Sequence, residues 1–232
     1  MRQIFLDTET TGLDVKSGHR IVEIAAVEVC NRQLTGRHFH YYLNPERESE
    51  ASALQIHGLT TEFLQDKPKF PDICEAFIQF IENAELLIHN APFDVSFLDN
   101  ELALCNQNTL SGYCTEIIDT LILAKELHPG KRNNLDALCE RYQVDHSHRV
   151  LHGALLDSEL LAEVYLRMTR GQDSLLMDFD TPVPDISTDE ALKGLQLVVL
   201  SADPSELERH AKCLEAINKV SKGNCLWQSL ND

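Results

Sequence analysis

Along the chain the spacing of apolar residues changes character, and that change limits the fold more than any other feature. Ile4, Phe5 and Leu6 form a short apolar run that stops at Asp7. Residues 21–30 are rich in β-branched side chains, and 38–43 alternate aromatic with polar residues. Three successive strands are predicted from these runs. Helical spacing then takes over at Ile73, Phe77, Phe80 and Ile81. Leu86-Leu87-Ile88 reads as a buried strand, and helical signals recur over 97–104, 121–127, 135–142 and 155–168. Strands first, then helices mixed with strands, predict an α/β domain in which helices flank a mixed central sheet. Its expected extent is residues 1–171.

Beyond it the pattern breaks. Residues 173–190 hold six acidic side chains, no basic ones, and Pro182 and Pro184. Like charges repel and proline resists regular structure, so 172–191 reads as a flexible acidic linker. In the last segment, 192–232, residues 195–200 look like one strand. Asp203-Pro204-Ser205-Glu206 resembles a capping box with proline at the first helical position. The helix it opens carries Leu207, Ala211, Leu214, Ile217 and Val220 on one face. One strand and one helix cannot bury that face alone, so this segment is expected to dock, onto the first domain or onto another protein.

Composition narrows the class. Of 232 residues 43% are hydrophobic and 25% charged, which excludes disorder of the whole chain. No apolar run approaches the roughly 18 residues of a membrane span, and the N-terminal apolar run is too short for a signal-peptide core. The seven cysteines (Cys30, Cys74, Cys105, Cys114, Cys139, Cys213 and Cys225) form no C-x-x-C pair. Reduced thiols in a soluble cytoplasmic protein are expected, not a disulfide framework or a zinc site. The formal net charge of −17 argues against a free-standing nucleic-acid binder, because phosphate contacts need concentrated Lys and Arg. Bound divalent metals, or a basic partner that presents the substrate, would lift that objection.

Three segments carry acids where acids are costly. In Asp7-Thr8-Glu9-Thr10-Thr11-Gly12, strand spacing places Asp7 and Glu9 on one side at a strand's end. No Lys or Arg separates them, so one carboxylate takes a proton or a cation binds both; a solvated turn is the alternative. In His89-Asn90-Ala91-Pro92-Phe93-Asp94 an acid opens a helix after a buried strand, where the helix dipole alone could account for it. In His152-Gly153-Ala154-Leu155-Leu156-Asp157 a helix beginning near Gly153 would project Asp157 inward from its second turn, among leucines. His152, on the loop before it, is suited to take a proton from water, or is a plain surface residue. Taken together, four acids and a histidine at strand ends and helix starts can converge on one face. Oxygen ligands of this kind suit Mg²⁺ or Mn²⁺, two of which can clamp the attacking and leaving oxygens of a phosphoryl displacement.

These three segments, in this order, resemble the three motifs of the DEDDh 3′–5′ exonucleases. Within that group, residues 129–139 and 151–157 are similar to the proofreading-exonuclease family of bacterial DNA polymerase III. The resemblance covers residues 1–172 and extends more weakly to Gly223-Asn224-Cys225-Leu226-Trp227. It implies an RNase H-like fold and removal of mismatched 3′-terminal nucleotides from single-stranded or frayed DNA, as nucleoside 5′-monophosphates. It further implies a pair of Mg²⁺ or Mn²⁺ ions held by Asp7, Glu9 and Asp157 and supported by Asp94, with His152 as general base. Asp7, Glu9, Thr10, His57, Phe93 and Asp157 would contact the terminal nucleotide; for His57, a helix-end histidine is an equal alternative. Implied partners are the polymerase's catalytic alpha subunit at the C-terminal segment, the sliding clamp at Gln172-Asp173-Ser174-Leu175-Leu176-Met177, and a small accessory subunit. A plain linker remains the alternative for the clamp peptide.

Two other functions compete. A stand-alone RNA-trimming exonuclease of the same superfamily would need neither acidic linker nor docking tail. A catalytically silent adaptor between polymerase and clamp would have no need of Asp7, Glu9, Asp94, His152 and Asp157.

Overall fold

Why residues 21–30 read as a largely apolar run becomes clear from what lies above and below them. In the computed structural model, residues 1–147, 149, 151–170, 202–221 and 227 are described, and the chain divides into two units, Met1–Phe179 and Asp180–Asp232. In the first unit a five-stranded sheet has the order β3-β2-β1-β4-β5, formed by β1 (Arg2–Thr10), β2 (Ile21–Cys30), β3 (Gln33–Tyr42), β4 (Glu85–Ile88) and β5 (Glu116–Asp119). Strand β2 pairs antiparallel with both β1 and β3, whereas β4 and β5 run parallel to β1. The expected mixed sheet is therefore present, with helices on both faces. Its helices are α1 (Ala51–His57), α2 (Thr61–Leu64), α3 (Phe70–Ile81), α4 (Ala91–Leu104), α5 (Thr120–Leu127), α6 (Leu135–Tyr142) and α7 (Ala154–Met168).

Strand alternation sorts the core. Ile4, Leu6, Ile24, Ala26, Leu86 and Ile88 join Phe77 of α3 and Phe97 of α4 in one buried cluster. Phe5, Val29 and Leu87 face the other way and pack beneath Leu161 and Ala162 of α7. A further cluster, including Ala124, Leu138 and Val164, joins α5, α6 and α7. With both faces covered, β2 is buried from Ile21 to Val29, which is why it lacks polar alternation.

Several elements differ from the sequence reading. Strand β3 begins five residues earlier than expected, at Gln33, on an exposed edge where polar residues are tolerated. Strand β5 spans four residues, too few for a periodic signal. Helix α1 buries only His57, so it offers no apolar stripe to detect. In the second unit, α8 (Pro204–Val220) starts as expected. Asp203 accepts from the Ser205 and Glu206 amides, and the Glu206 carboxylate accepts from the Asp203 amide. No residue of α8 is buried, and Leu207, Ile217 and Val220 are exposed. The linker 172–191, the clamp-type peptide 172–177, the strand 195–200 and residues 223–226 lie outside the described residues.

Sheet register leaves one side of β1 open. Pairing between β1 and β4 ends at Leu6 with Ile88, yet β1 continues to Thr10 against β2 alone. The result is a notch past the carboxyl end of β4, the place where parallel-strand sheets gather ligands.

Phe77 is fully buried between Phe39 and Phe70, with ring centroids 5.6 and 6.1 Å away. Replacing it with alanine is expected to cost about 3–5 kcal/mol, read from the urea unfolding midpoint. A loss below about 1 kcal/mol would show that α3 does not depend on this contact.

Candidate active site

Three elements meet at the notch. Asp7 and Glu9 follow Phe5 at strand spacing and so face α7. They lie inside β1, not at its end as the sequence suggested, but beyond the last residue paired with β4. Helix α7 brings Asp157 in its first turn, one turn earlier than expected, with Gly153 as the extended N-cap. The Ser158 hydroxyl fastens that turn to the sheet by donating to the Ala25 carbonyl at 3.2 Å.

On the other side Asn90 turns the chain in a left-handed conformation (φ 67°) to start α4, with proline in the first turn. Asp94 Oδ1 then accepts from the Thr8 amide at 3.1 Å and the Thr8 hydroxyl at 2.7 Å. A helix side chain thus bonds β1 where no β4 residue pairs with it.

His152 is half-exposed on the loop before α7, and its amide donates to the Ile56 carbonyl of α1 at 3.1 Å. The undetected helix α1 therefore anchors that loop. His57, the last residue of α1, is buried. Its Nδ1 accepts from the Leu59 amide at 3.0 Å, while Nε2 has no hydrogen bond of normal geometry. The Thr10 carbonyl lies close enough to favour a proton there, but burial outweighs it and lowers the pKa. Thr10 donates its hydroxyl to the Gly12 carbonyl at 2.8 Å, and Phe93 tilts against Phe97 at 5.0 Å. All eight residues singled out from sequence (Asp7, Glu9, Thr10, His57, Phe93, Asp94, His152 and Asp157) line one cavity of about 390 Å³.

Crowding the acids has its expected consequence. Burial, then repulsion from Asp94, Glu9 and Asp157, raises Asp7 well above the ordinary carboxylate range. Burial, then the charges of Asp157 and Glu23, pushes Glu9 to about 8. Burial raises Asp94 to about 7 despite its bonds to Thr8. His152 moves down, through burial and the nearby Arg149, which keeps its ring neutral near pH 7.

Two members of the cluster went unseen in the sequence. Glu23 stands opposite Glu9 in the β1–β2 register, is buried, and accepts or shares a proton with His40 Nε2 at 2.8 Å. Its place depends on register, which no local motif records. Arg149 corrects the expectation of carboxylates without a counter-charge. Its Nε and Nη2 contact both oxygens of Asp157 at 2.6 and 2.7 Å, and Nη1 meets Asp136 at 2.5 Å. Only three residues before His152, it could have been flagged from its position in the loop.

The donor set fits a hard divalent cation. Among the described residues, ligand atoms of Glu9, His152 and Asp157 lie within 4.8 Å of one another, and the acids around them are destabilised as anions. Asp7 and Asp94 fall outside that tight group, though both line the same cavity.

The raised carboxylates make stability depend on pH. Their folded pKa values exceed the unfolded ones, so the folded chain binds more protons, and raising pH through that interval removes stability. The lowered histidines act oppositely, but only below their unfolded range near 6.5. In EDTA the melting temperature is expected to fall by a few degrees between about pH 6.5 and about pH 8.5, and Glu9→Gln should flatten the slope. A melting temperature that rises across this interval in wild type would contradict the assignment.

The geometry has counterparts in known proteins. Residues 4–165 match the family described as exonuclease, RNase_T. The DNA polymerase III subunit epsilon of Pasteurella multocida is 48% identical over 98% of this chain and 93% of that protein. The subunit of the same name from Salmonella typhimurium is 44% identical over 98% of each. Exonuclease X in complex with 5′ overhanging duplex DNA is similar with a TM-score of 0.56 and 26% identity, over 72% of this chain and 90% of that one. The nuclease domain of 3′hExo, a DEDDh family member bound to rAMP, shares the fold, with a TM-score of 0.63, 20% identity, and 74% and 92% coverage. The sheet is the RNase H-like one of these nucleases, and the chain belongs to the exonuclease family as a 3′–5′ exonuclease of the DNA polymerase III epsilon-subunit branch.

Proposed function

We propose that the cavity hydrolyses the 3′-terminal phosphodiester of a DNA strand frayed at a mismatch and releases a nucleoside 5′-monophosphate. The observation that carries this reading is the convergence of Asp7, Glu9, Asp94 and Asp157 with a half-exposed, neutral His152 on one cavity. Asp7, Glu9 and Asp157 would hold a pair of Mg²⁺ or Mn²⁺ ions, with Asp94 supporting the second ion directly or through water. Bound there, a pair of such ions supplies positive charge to the phosphoryl oxygens and to the departing 3′ oxygen. His152 takes the proton of the attacking water; a neutral imidazole is the form able to do so.

Thr10, His57 and Phe93 are assigned to the terminal nucleotide. The Phe93 ring offers a stacking face to any base, and the unbonded Nε2 of His57 offers a polar contact at the cavity wall. Stacking does not read sequence, so selection for mismatches rests on how readily the end unpairs. A strongly acidic chain need not grip duplex DNA if a polymerase presents the end. The exposed apolar residues of α8 are assigned to the polymerase's catalytic subunit, within a docking segment 192–232. The peptide 172–177, at the start of the linker 172–191, is assigned to the sliding clamp.

A 3′-mismatched primer tests the chemistry. Wild type with Mg²⁺ or Mn²⁺ is expected to release 5′-monophosphates one at a time, and EDTA or Asp7→Ala to abolish release. His152→Ala should lower kcat by about 10²–10⁴-fold with little change in KM. Removing residues 172–232 should preserve activity on free single strands and eliminate polymerase binding. No release under any metal would overturn the reading in favour of a silent adaptor.

A further inference from the structure

We infer that Arg149 is an internal latch: its guanidinium takes the cation's place in the metal-free site, shuts off the general base, and must withdraw before a divalent ion binds. The inference rests on the metal-dependent reading of the cavity and goes beyond it. Arg149 meets both Asp157 oxygens at 2.6 and 2.7 Å, as a parallel pair of charge-assisted bonds. The side chains of Arg149 and Asp157 are 7% and 5% exposed, so water screens this pair little.

The same Nη2 lies 3.0 Å from His152 Nδ1. A guanidinium carries donors only. In this contact Nδ1 must therefore be the accepting nitrogen, and the proton of the neutral ring sits on Nε2. No lone pair of the ring is left to take a proton from water. One cation thus occupies the Asp157 carboxylate and the base together.

A divalent ion held by Asp157 together with Asp7 and Glu9 meets this positive charge on the same two Asp157 oxygens. The ion and the guanidinium compete. Withdrawal is possible because Nη1 has a partner outside the donor group, Asp136, whose side chain is 48% exposed. On losing Asp157, Arg149 keeps an anion at the cavity lip and is not stranded as a buried charge. In the closed arrangement Arg149 offsets part of the carboxylate repulsion, and the site is inert as a base. Metal uptake and base release then become one event.

Competition of this kind lowers apparent metal affinity by the fraction of molecules already open. The full chain and its Arg149→Gln and Arg149→Lys variants can be titrated with Mn²⁺, following free Mn²⁺ by electron paramagnetic resonance without substrate. Arg149→Gln is expected to bind Mn²⁺ about tenfold more tightly or better, and Arg149→Lys to fall between, since an ammonium cannot span both oxygens. In EDTA Arg149→Gln should melt below wild type, and saturating Mn²⁺ should restore it by more than it stabilises wild type. A purely structural role would lower melting equally with and without Mn²⁺, and affinity would stay unchanged or weaken; either result overturns the latch. Failure of wild type to bind Mn²⁺ at all would instead overturn the metal reading of the cavity, and the latch with it.

Discussion

Carboxylates enclosed by protein and close together repel one another, and the architecture around the notch can be read as the set of constraints that hold them there. Left to themselves, Asp7, Glu9, Asp94 and Asp157 would separate, and the raised proton affinities of Asp7, Glu9 and Asp94 record that repulsion and burial. Separation is prevented from three directions. Strand β1 is fixed along its length by β2, α7 is fixed by Leu161, Ala162 and the Ser158 bond, and α4 is fixed through Asp94 to Thr8. Each attachment belongs to a different layer of the core, so relief of the repulsion would require opening the fold. The unfavourable charge is therefore stored in the site, where a cation can relieve it.

Much of this was legible in the sequence because it is local. Runs such as 21–30 and the spacing of Ile73, Phe77 and Ile81 announce their elements directly, and the three acidic segments announce themselves by acids placed against apolar runs. What escaped reading depends on distant pairings. Glu23 matters because the β1–β2 register sets it opposite Glu9. Arg149 matters because the loop before α7 folds its side chain back over Asp157 and towards Asp136 of α6. Helix α1 is nearly all exposed and holds the His152 loop through one backbone bond. Such a helix leaves almost no hydrophobic trace, whatever its importance to the site. The tail shows the converse case: the α8 cap was legible to the residue, but what covers its apolar face lies in another molecule's sequence or elsewhere in this one.

Net charge is usually taken as evidence about what a protein binds, and here its distribution matters more than its sum. Several arginines of the first unit are spent within the fold: Arg2 and Arg37 on Glu28, Arg20 on the buried Glu101, Arg149 on Asp157. These ion pairs join segments far apart in the chain and leave those guanidiniums engaged before any nucleic acid arrives. An enzyme built in this way gains little from long-range attraction to a polyanion. Delivery of the strand end by a partner, as proposed above, would offset this, and the one described helix of the second unit leaves Leu207, Ile217 and Val220 exposed.

Arg149 connects these two economies of charge. Arg2, Arg20 and Arg37 pair with acids outside the cavity, whereas Arg149 pairs with Asp157, the acid assigned above to the metal. Its ion pair cannot be maximised for stability without excluding the metal, nor removed without exposing the metal-free chain to repulsion among its own carboxylates. A pair that is strong yet replaceable satisfies both demands, and the geometry provides for it. The bidentate contact with buried Asp157 gives strength, and the half-exposed Asp136 gives the guanidinium somewhere to remain when Asp157 is taken. Under the proposed latch, the position of Asp136 at the start of α6 would serve the active site, even though its carboxylate lies outside the group of atoms placed to hold an ion.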